Sequence, residues 1–194
     1  MKEEEEEEKQ KRKLREQLRQ RAERLDSAYC HKADARIRRA VLALPEYAAA
    51  AVVFCYVGTA REIQTAPLIA RMLADGKTVA VPLCTGKGIM EGRQIRSLTE
   101  LQPGRYGIPE PPQTAPVITP AQMDLVIVPC LSADRQGYRL GYGGGFYDRY
   151  LPQTSCPAVL LCREQMMVPG IPVEAHDVQL DQVISEQAVY HSSH

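Results

Sequence analysis

The sequence has no surplus of charge of either sign and no long apolar run. Its 194 residues include 24 basic and 24 acidic side chains, so the formal net charge is zero. A neutral chain gives no support for an overall field that attracts nucleic acid. The apolar runs are shorter than the ~20 residues needed to cross a bilayer, and the charged N-terminus has no signal-peptide core. We therefore expect a cytoplasmic protein without nucleic-acid or membrane partners.

The cysteines lack the spacing of a metal site or a redox motif. There are six, and none forms a C-x-x-C pair. Several lie inside apolar runs such as VVFCYV and VIVPCL, where a reduced cysteine behaves as a small buried hydrophobe. We therefore expect reduced core cysteines rather than catalytic ones.

Two common nucleotide-binding fingerprints are also absent. The stretch RLGYGGGFYDRY, residues 139–150, would need glycine at position 146 to match G-x-G-x-x-G, and that residue is Phe146. The segment GKT at 76–78 has Arg71 where a P-loop has its first glycine, and TGKG at 85–88 lacks both the upstream glycine and the final Ser or Thr. Neither a dinucleotide fingerprint nor a P-loop is supported.

What the sequence does contain is an alternation of strands and helices. Apolar residues at positions 14, 18, 22 and 25 predict a helix from Lys11 onward, and a second helix is predicted over 32–44. Strands are predicted at 49–57, 77–84, 89–98, 124–131, 157–164 and 181–189, with helices at 61–76 and after the glycines of 141–145. This order predicts an α/β fold: a three-layer open sheet, mostly parallel, with helices on both faces, Rossmann-like but without the dinucleotide fingerprint. Residues 1–10 are expected to form a disordered acidic extension, and residues 11–190 a single domain.

The glycine cluster lies a short loop beyond the strand at 124–131. Ligands of open α/β sheets bind beyond the carboxyl ends of strands. Glycines allow consecutive backbone N–H groups to point at one place, which favours anions. Arg139 before the cluster can supply positive charge, and Asp148 after it can hold a magnesium ion bound to phosphate. The pattern favours phosphate binding, and the alternative is a tight turn with a surface Asp–Arg pair.

Five segments, in the same order, resemble the 5-formyltetrahydrofolate cyclo-ligase family. The longest is DLVIVPCLSADRQGYRLGYGGGFYDRYL, which has the family's Asp-x-x-Gly-x-Arg-Leu-Gly-x-Gly-x-Gly-Tyr-Tyr-Asp pattern with Phe146 in place of a usual Tyr. The others are KRKLR (11–15), REIQT (61–65), YGIPEP (106–111) and IPVEAHDVQLDQVISE (171–186). The resemblance covers about residues 11–185.

The resemblance implies an ATP-dependent ring closure that converts 5-formyltetrahydrofolate to 5,10-methenyltetrahydrofolate and releases ADP and phosphate. Phosphorylation of the formyl oxygen would create a good leaving group, which N10 of the folate then displaces. ATP is the implied co-substrate and Mg²⁺ the implied cofactor. The oligomeric state stays open, with a monomer favoured.

The resemblance also implies roles for particular residues. Arg139 and Asp148 are implied as catalytic, and Asp148 and then Asp177 as magnesium ligands. Folate binding is implied for Val57, Glu62, Tyr142 and Phe146. The implied ATP-binding residues are Lys11, Arg15, Arg139, Leu140, Gly141, Tyr142, Gly143, Gly144, Gly145, Phe146, Tyr147 and Asp148.

Other interpretations remain open at this point. Asp148 can pair with Arg149, Asp177 can hydrogen-bond with His176, and Glu62 can be a surface residue at a helix N-terminus. The whole chain can be a nucleotide- or folate-binding protein without turnover. The basic segment 9–24 can bind RNA or an acidic partner, in which case the binding would be strongly salt-dependent.

Overall fold

A computed structural model describes residues 2–192 of the chain, with the side chains of 2–5 and 106 left aside. The helices are α1 (Lys2–Glu23), α2 (Ser27–Leu42), α3 (Pro45–Ala49), α4 (Ala66–Ala74) and α5 (Phe146–Tyr150). The strands are β1 (Val52–Cys55), β2 (Thr78–Gly86), β3 (Ile89–Ile95), β4 (Gln102–Pro103), β5 (Pro109–Glu110), β6 (Val117–Ile118), β7 (Leu125–Val128), β8 (Ser132–Ala133), β9 (Arg139–Leu140), β10 (Ala158–Leu161), β11 (Gln182–Ile184) and β12 (Val189–His191).

Eight of the strands form one sheet in the order β12-β11-β10-β7-β1-β2-β3-β6. The five central strands, β11, β10, β7, β1 and β2, are parallel, and β12, β3 and β6 are antiparallel at the edges. Counting only the parallel strands, the order is 2-1-3-4-5, a doubly wound order whose direction of progression switches between β1 and β7. The predicted mostly parallel α/β sheet is confirmed.

Alternating side chains of the central strands pack on two different helical layers. Val53 and Cys55 face one core cluster together with Ile37 of α2 and Ile69 of α4. Phe54 between them faces the other cluster, where its ring lies 5.1 Å from that of Tyr150 in α5. This period of two is what a strand buried on both faces requires, and it produces the three predicted layers.

The N-terminal helix is longer than the sequence predicts. The acidic block was expected to be disordered, whereas α1 begins at Lys2 and carries the helix through it. Ion pairs run along this part of the helix, with Lys9 Nζ 3.6 Å from Glu6 and Arg15 Nη1 3.2 Å from Glu8. Leu18 of the predicted apolar stripe is buried. Met1 of the expected extension lies outside the described residues, and the division into extension and domain stays a prediction.

The C-terminal region also differs from the prediction. The single strand expected at 181–189 is a hairpin of β11 and β12, because Ser185 closes a turn in which its N–H donates to Ala188 O at 3.0 Å. The six cysteines are free thiols, of which Cys55 and Cys162 are buried and the other four half-buried. Among residues 2–192, no helix is both long and apolar enough to cross a membrane.

Candidate active site

The predicted site residues lie mostly at the carboxyl edge of the parallel strands, where the order switches. One loop, residues 56–65, follows β1, and β7 leads through the β8–β9 hairpin to residues 141–145, which we call the glycine loop. Because β1 and β7 are neighbours in the sheet, their carboxyl ends bring the two loops to the same edge.

The backbone of the glycine loop needs its glycines at two positions. Gly143 has φ 96° and Gly145 has φ 64°, a left-handed region that side chains with a Cβ rarely adopt. A Cβ on Gly143 would meet nothing closer than Arg15 Nε at 3.9 Å, so conformation and not crowding selects glycine there. The loop can therefore let a ligand approach its backbone closely.

Cations from two helices hold the loop through its carbonyl groups. From α1, Arg15 Nε donates to Gly141 O at 3.2 Å and Arg19 Nη2 donates to Tyr142 O at 3.3 Å. From α5, Arg149 Nη1 donates to Gly145 O at 3.0 Å. The basic side of α1 therefore faces the glycine loop at these two positions.

Arg139 is a buried cation with spare hydrogen-bonding capacity. Its guanidinium pairs with Asp148 and lies over the ring of Tyr147, 5.6 Å from its centroid. The side chain is only 6% exposed, and among the described residues its Nε has no partner. An unsatisfied buried donor costs roughly 1–3 kcal/mol, so a bound anion would recover stability here. Asp148 pairs with Arg139 and not with Arg149.

Lys11 lies against the C-terminal signature and not over the glycine loop. Its ammonium contacts Glu174 and lies 2.5 Å from Asp177 Oδ2. Burial disfavours the charged form, but the hydrogen bonds to Asp177 and Glu174 outweigh it and raise the lysine pKa. Asp177 also accepts from Glu174 N at 2.8 Å. Its main partner is thus Lys11, and His176, 4.0 Å away, is well exposed.

A cavity of about 200 Å³ opens beside the glycine loop. Glu62 lines it, and its Oε2 accepts hydrogen bonds from Thr59 N at 2.9 Å and Thr59 Oγ1 at 2.8 Å. Among the contacts of the described residues, Oε1 of Glu62 has no donor. The cavity is lined by Arg19, Ala22, Thr59, Arg61, Glu62, Ile63, Cys130, Leu131, Tyr142, Cys162, Arg163 and Met166.

Tyr142 joins the cavity to the glycine loop, because it is a member of the loop and also lines the cavity. The residue is 42% exposed, but partial desolvation and the nearby Glu62 carboxylate raise the pKa of its phenol. The side chain is therefore a neutral hydroxyl that can donate or accept. Val57 and Phe146, also predicted to bind folate, are not among the residues that line the cavity. Val57 belongs to the core cluster of Ile37 and Ile69, whereas Phe146 packs against the other cluster, that of Phe54.

A sequence profile described as the 5-formyltetrahydrofolate cyclo-ligase family matches residues 7–186. The chain belongs to this family. The resemblance inferred from the five motifs is thereby confirmed.

Individual members of the cyclo-ligase family align over most of the chain. A Mycolicibacterium smegmatis 5-formyltetrahydrofolate cyclo-ligase is 33% identical over 141 residues, which cover 69% of this chain and 72% of the relative. A Schizosaccharomyces pombe protein named as a probable 5-formyltetrahydrofolate cyclo-ligase is 31% identical over 170 residues, 79% of this chain and 83% of the relative. The solved structure of Aquifex aeolicus 5,10-methenyltetrahydrofolate synthetase superposes with a TM-score of 0.82 at 26% identity, covering 93% of this chain and 92% of that one.

Several residues of this candidate site were not predicted from the sequence. Arg163 and Arg19 line the cavity, and Asp34 of α2 holds Arg163 through two hydrogen bonds. Arg163 could have been predicted from its position, since it follows an apolar strand at the edge of the sheet where ligands bind. Asp34 had none, because its role depends on a contact 129 residues away.

Proposed function

We propose that this protein uses ATP to close the ring of 5-formyltetrahydrofolate, forming 5,10-methenyltetrahydrofolate, ADP and phosphate. The observation that carries the proposal is the position of Tyr142, which belongs to the glycine loop and lines the cavity of Glu62. A phosphate held by the loop and a folate held in the cavity would meet at this residue. Family membership supports the same reaction.

The glycine loop would hold the triphosphate of ATP. Its backbone permits close approach, and Arg139 offers a buried, charged and unsatisfied donor beside it. Arg15 Nε donates to the carbonyl of Gly141, and it can donate to a phosphate oxygen instead when ATP is bound. Charge neutralisation and positioning are what phosphoryl transfer asks of a protein.

The chemistry needs ATP because a formamide oxygen is a poor leaving group. The formyl oxygen on N5 attacks the γ-phosphorus, ADP departs, and an N5 iminium phosphate results. N10 then attacks the activated carbon, the C–O bond breaks, phosphate leaves, and N10 loses its proton. Arg139 would stabilise the negative charge on the transferring phosphoryl group.

Glu62 and Tyr142 would hold the folate. The pterin ring presents N–H donors along one edge, and the free Oε1 of Glu62 is a charge-assisted acceptor for them. The neutral hydroxyl of Tyr142 would contact the folate near the loop. Thr59 keeps the Glu62 carboxylate in place through Oε2.

Magnesium is the cofactor that we propose for the nucleotide. Carboxylate oxygens suit this ion, and ligand atoms of Glu174, His176 and Asp177 lie within 4.8 Å of one another. Lys11 neutralises Glu174 and Asp177, and Arg139 neutralises Asp148, so a metal would replace a cation at either place. Bound at Asp148 or Asp177, the ion would neutralise phosphate charge. We also propose that the protein is a cytoplasmic monomer and that its partners are these small molecules alone.

The decisive experiment mixes purified protein with 5-formyltetrahydrofolate and Mg-ATP and follows the absorbance of methenyltetrahydrofolate. We expect product formation that requires ATP and yields one ADP per product. A reaction without ATP and one with a non-hydrolysable ATP analogue are the controls. Tight ATP binding with no product would show a binding protein without turnover and would overturn the proposal.

A further inference from the structure

One arginine ties the loop that carries Glu62 to the end of β10, which is separated from β1 by β7 in the sheet. Arg163 follows β10 closely, and its guanidinium reaches across to the loop after β1. Nη1 donates to Arg61 O at 3.2 Å, and Nη2 donates to Glu62 O at 2.9 Å. Two consecutive carbonyl groups of the loop are therefore held by one rigid, planar group.

Asp34 of α2 completes this arrangement from the other side. Its carboxylate accepts from Arg163 Nε at 2.7 Å and from Arg163 Nη2 at 3.0 Å, a bidentate pair. It also accepts from Gln64 N at 3.0 Å. The pair of Asp34 and Arg163, which we call the loop clamp, thus binds three backbone groups within residues 61–64.

The loop clamp is buried, so its two charged groups lose their hydration when the protein folds. The side chains of Arg163 and Asp34 are only 7% and 9% exposed. Buried ion pairs often add nothing to stability over an apolar pair of similar size, because desolvation offsets the attraction. The pair is therefore not explained by a gain in the free energy of unfolding of the whole protein. Its three hydrogen bonds to one short backbone segment indicate that it fixes the local conformation of that segment.

Glu62 lies in the middle of the clamped segment. A shift of the backbone at residues 61–64 would move its carboxylate relative to the cavity that Arg163 itself also lines. Thr59 holds the Glu62 carboxylate, and its carbonyl accepts from Glu62 N at 3.0 Å. Because Thr59 belongs to the same loop, these bonds shape the loop internally, whereas the clamp connects residues 61–64 to α2 and to the end of β10.

We propose that Asp34 and Arg163 are positioning residues for the folate, acting through Glu62. They set the backbone of 61–64 so that the Glu62 carboxylate faces the cavity before substrate arrives. This inference rests on the proposed function, in which Glu62 binds the pterin. A supporting shell of this kind is what keeps a binding group within productive geometry.

The test replaces both charges at once with the variant Asp34→Leu/Arg163→Met. An apolar pair avoids leaving a single buried charge, so the fold is expected to survive. We expect the KM for 5-formyltetrahydrofolate to rise about tenfold or more, because the carboxylate is no longer held. The KM for ATP should stay within about twofold, since the hydrogen bonds described for the clamp go to residues 61–64 and not to the glycine loop.

Lys77→Met is the matched control. Lys77 also ties backbone carbonyls together, donating to Tyr47 O at 2.7 Å and Ala50 O at 2.6 Å, but at the amino edge of the sheet. This variant should change neither KM. If the control raises the folate KM as much as the double variant does, the clamp has only a general structural role and the inference is overturned.

A double-mutant cycle with Glu62→Gln tests whether the clamp acts through Glu62. In a Glu62→Gln background, removing the clamp should change the folate KM by less than about twofold, because residues acting as one unit are not additive. Full additivity would overturn the inference.

Amide hydrogen exchange separates this inference from the proposed function, because it needs no activity. The Gln64 amide, which donates to Asp34, should exchange faster in the double variant than in Lys77→Met. If the wild type forms no product but this exchange difference is found, the proposed function fails and the clamp stands as a loop anchor. An active wild type whose double variant shows an unchanged folate KM overturns the inference alone.

Discussion

The two loops of the site are held in place in different ways. The glycine loop is contacted by Arg15, Arg19 and Arg149 over 3.0–3.3 Å through carbonyl groups at a half-open surface. The Glu62 loop is tied to Asp34 and Arg163 by hydrogen bonds of 2.9–3.2 Å, and the ion pair between Asp34 and Arg163 is itself buried. Cations that bind carbonyls and an exposed carboxylate at the surface can be redirected to phosphates at small cost, whereas the members of a buried bidentate pair cannot move independently. We infer that the site has a rigid side, which is the Glu62 loop with Asp34 and Arg163 and would bind the folate. Its adaptable side is the glycine loop, which would bind the nucleotide.

The largest expected effect breaks the rigid side. In Asp34→Asn the guanidinium of Arg163 stays buried but loses its counter-charge, and breaking one partner of a buried pair costs roughly 3–5 kcal/mol. Urea unfolding should show a loss of this size in the free energy of unfolding. The Asp34→Leu/Arg163→Met protein should lose much less. Equal losses in both proteins would mean that packing and not charge explains the effect.

The next effect concerns the adaptable side. Arg139→Met removes the buried donor beside the glycine loop and should lower kcat by about 10²–10³-fold, because the developing phosphoryl charge is no longer stabilised. Arg135→Met is the matched control, since Arg135 is 64% exposed and pairs with Glu164 away from the loop. The assay is the rate of methenyltetrahydrofolate formation. A kcat within about twofold of wild type would remove Arg139 from the phosphoryl step.

A smaller effect is expected from the conformation of the glycine loop. Gly143→Val places a β-branched residue at φ 96°, so the loop must change its conformation. We expect the KM for ATP to rise about tenfold with the folate KM nearly unchanged. In Gly170→Val the new Cβ meets nothing within 4 Å and φ is not in the left-handed region, so both constants should be retained. A rise in the folate KM alone would contradict the division into two sides.

The adaptable side could be predicted from the sequence to a larger extent than the rigid side. The glycines and Asp148 lie within a few residues of one another in the sequence, so their spacing alone indicates phosphate binding. The strand pattern likewise predicted the parallel sheet, because buried strands are continuous apolar runs. The loop clamp could not be predicted, since Asp34 in a helix and Arg163 after a strand become partners only through tertiary packing.

Lys11 shows a similar limit of sequence reasoning. The motif KRKLR implied that Lys11 contacts the nucleotide, and this role stays a prediction. The structure places the Lys11 ammonium between Glu174 and Asp177, 163 and 166 residues away. Arg15, from the same motif, does reach the glycine loop. A motif identifies which residues matter together, while the partner of each long side chain depends on the fold around it.

The smallest expected effect is a pH dependence that tests whether Lys11 belongs to the rigid side. Its pKa is raised above the ordinary 10.5 in the folded chain, so the stability it contributes is fully present below pH 10.5. That contribution decreases as pH rises from the unfolded value through the folded one. The difference in free energy of unfolding between wild type and Lys11→Met should therefore be constant from about pH 7 to 9 and shrink only above about pH 10.5. Urea unfolding at several pH values measures it. A difference that stays constant up to about pH 12 would mean that the folded pKa is not raised and that Lys11 is loosely held, and Lys11 would then belong with Arg15 on the adaptable side.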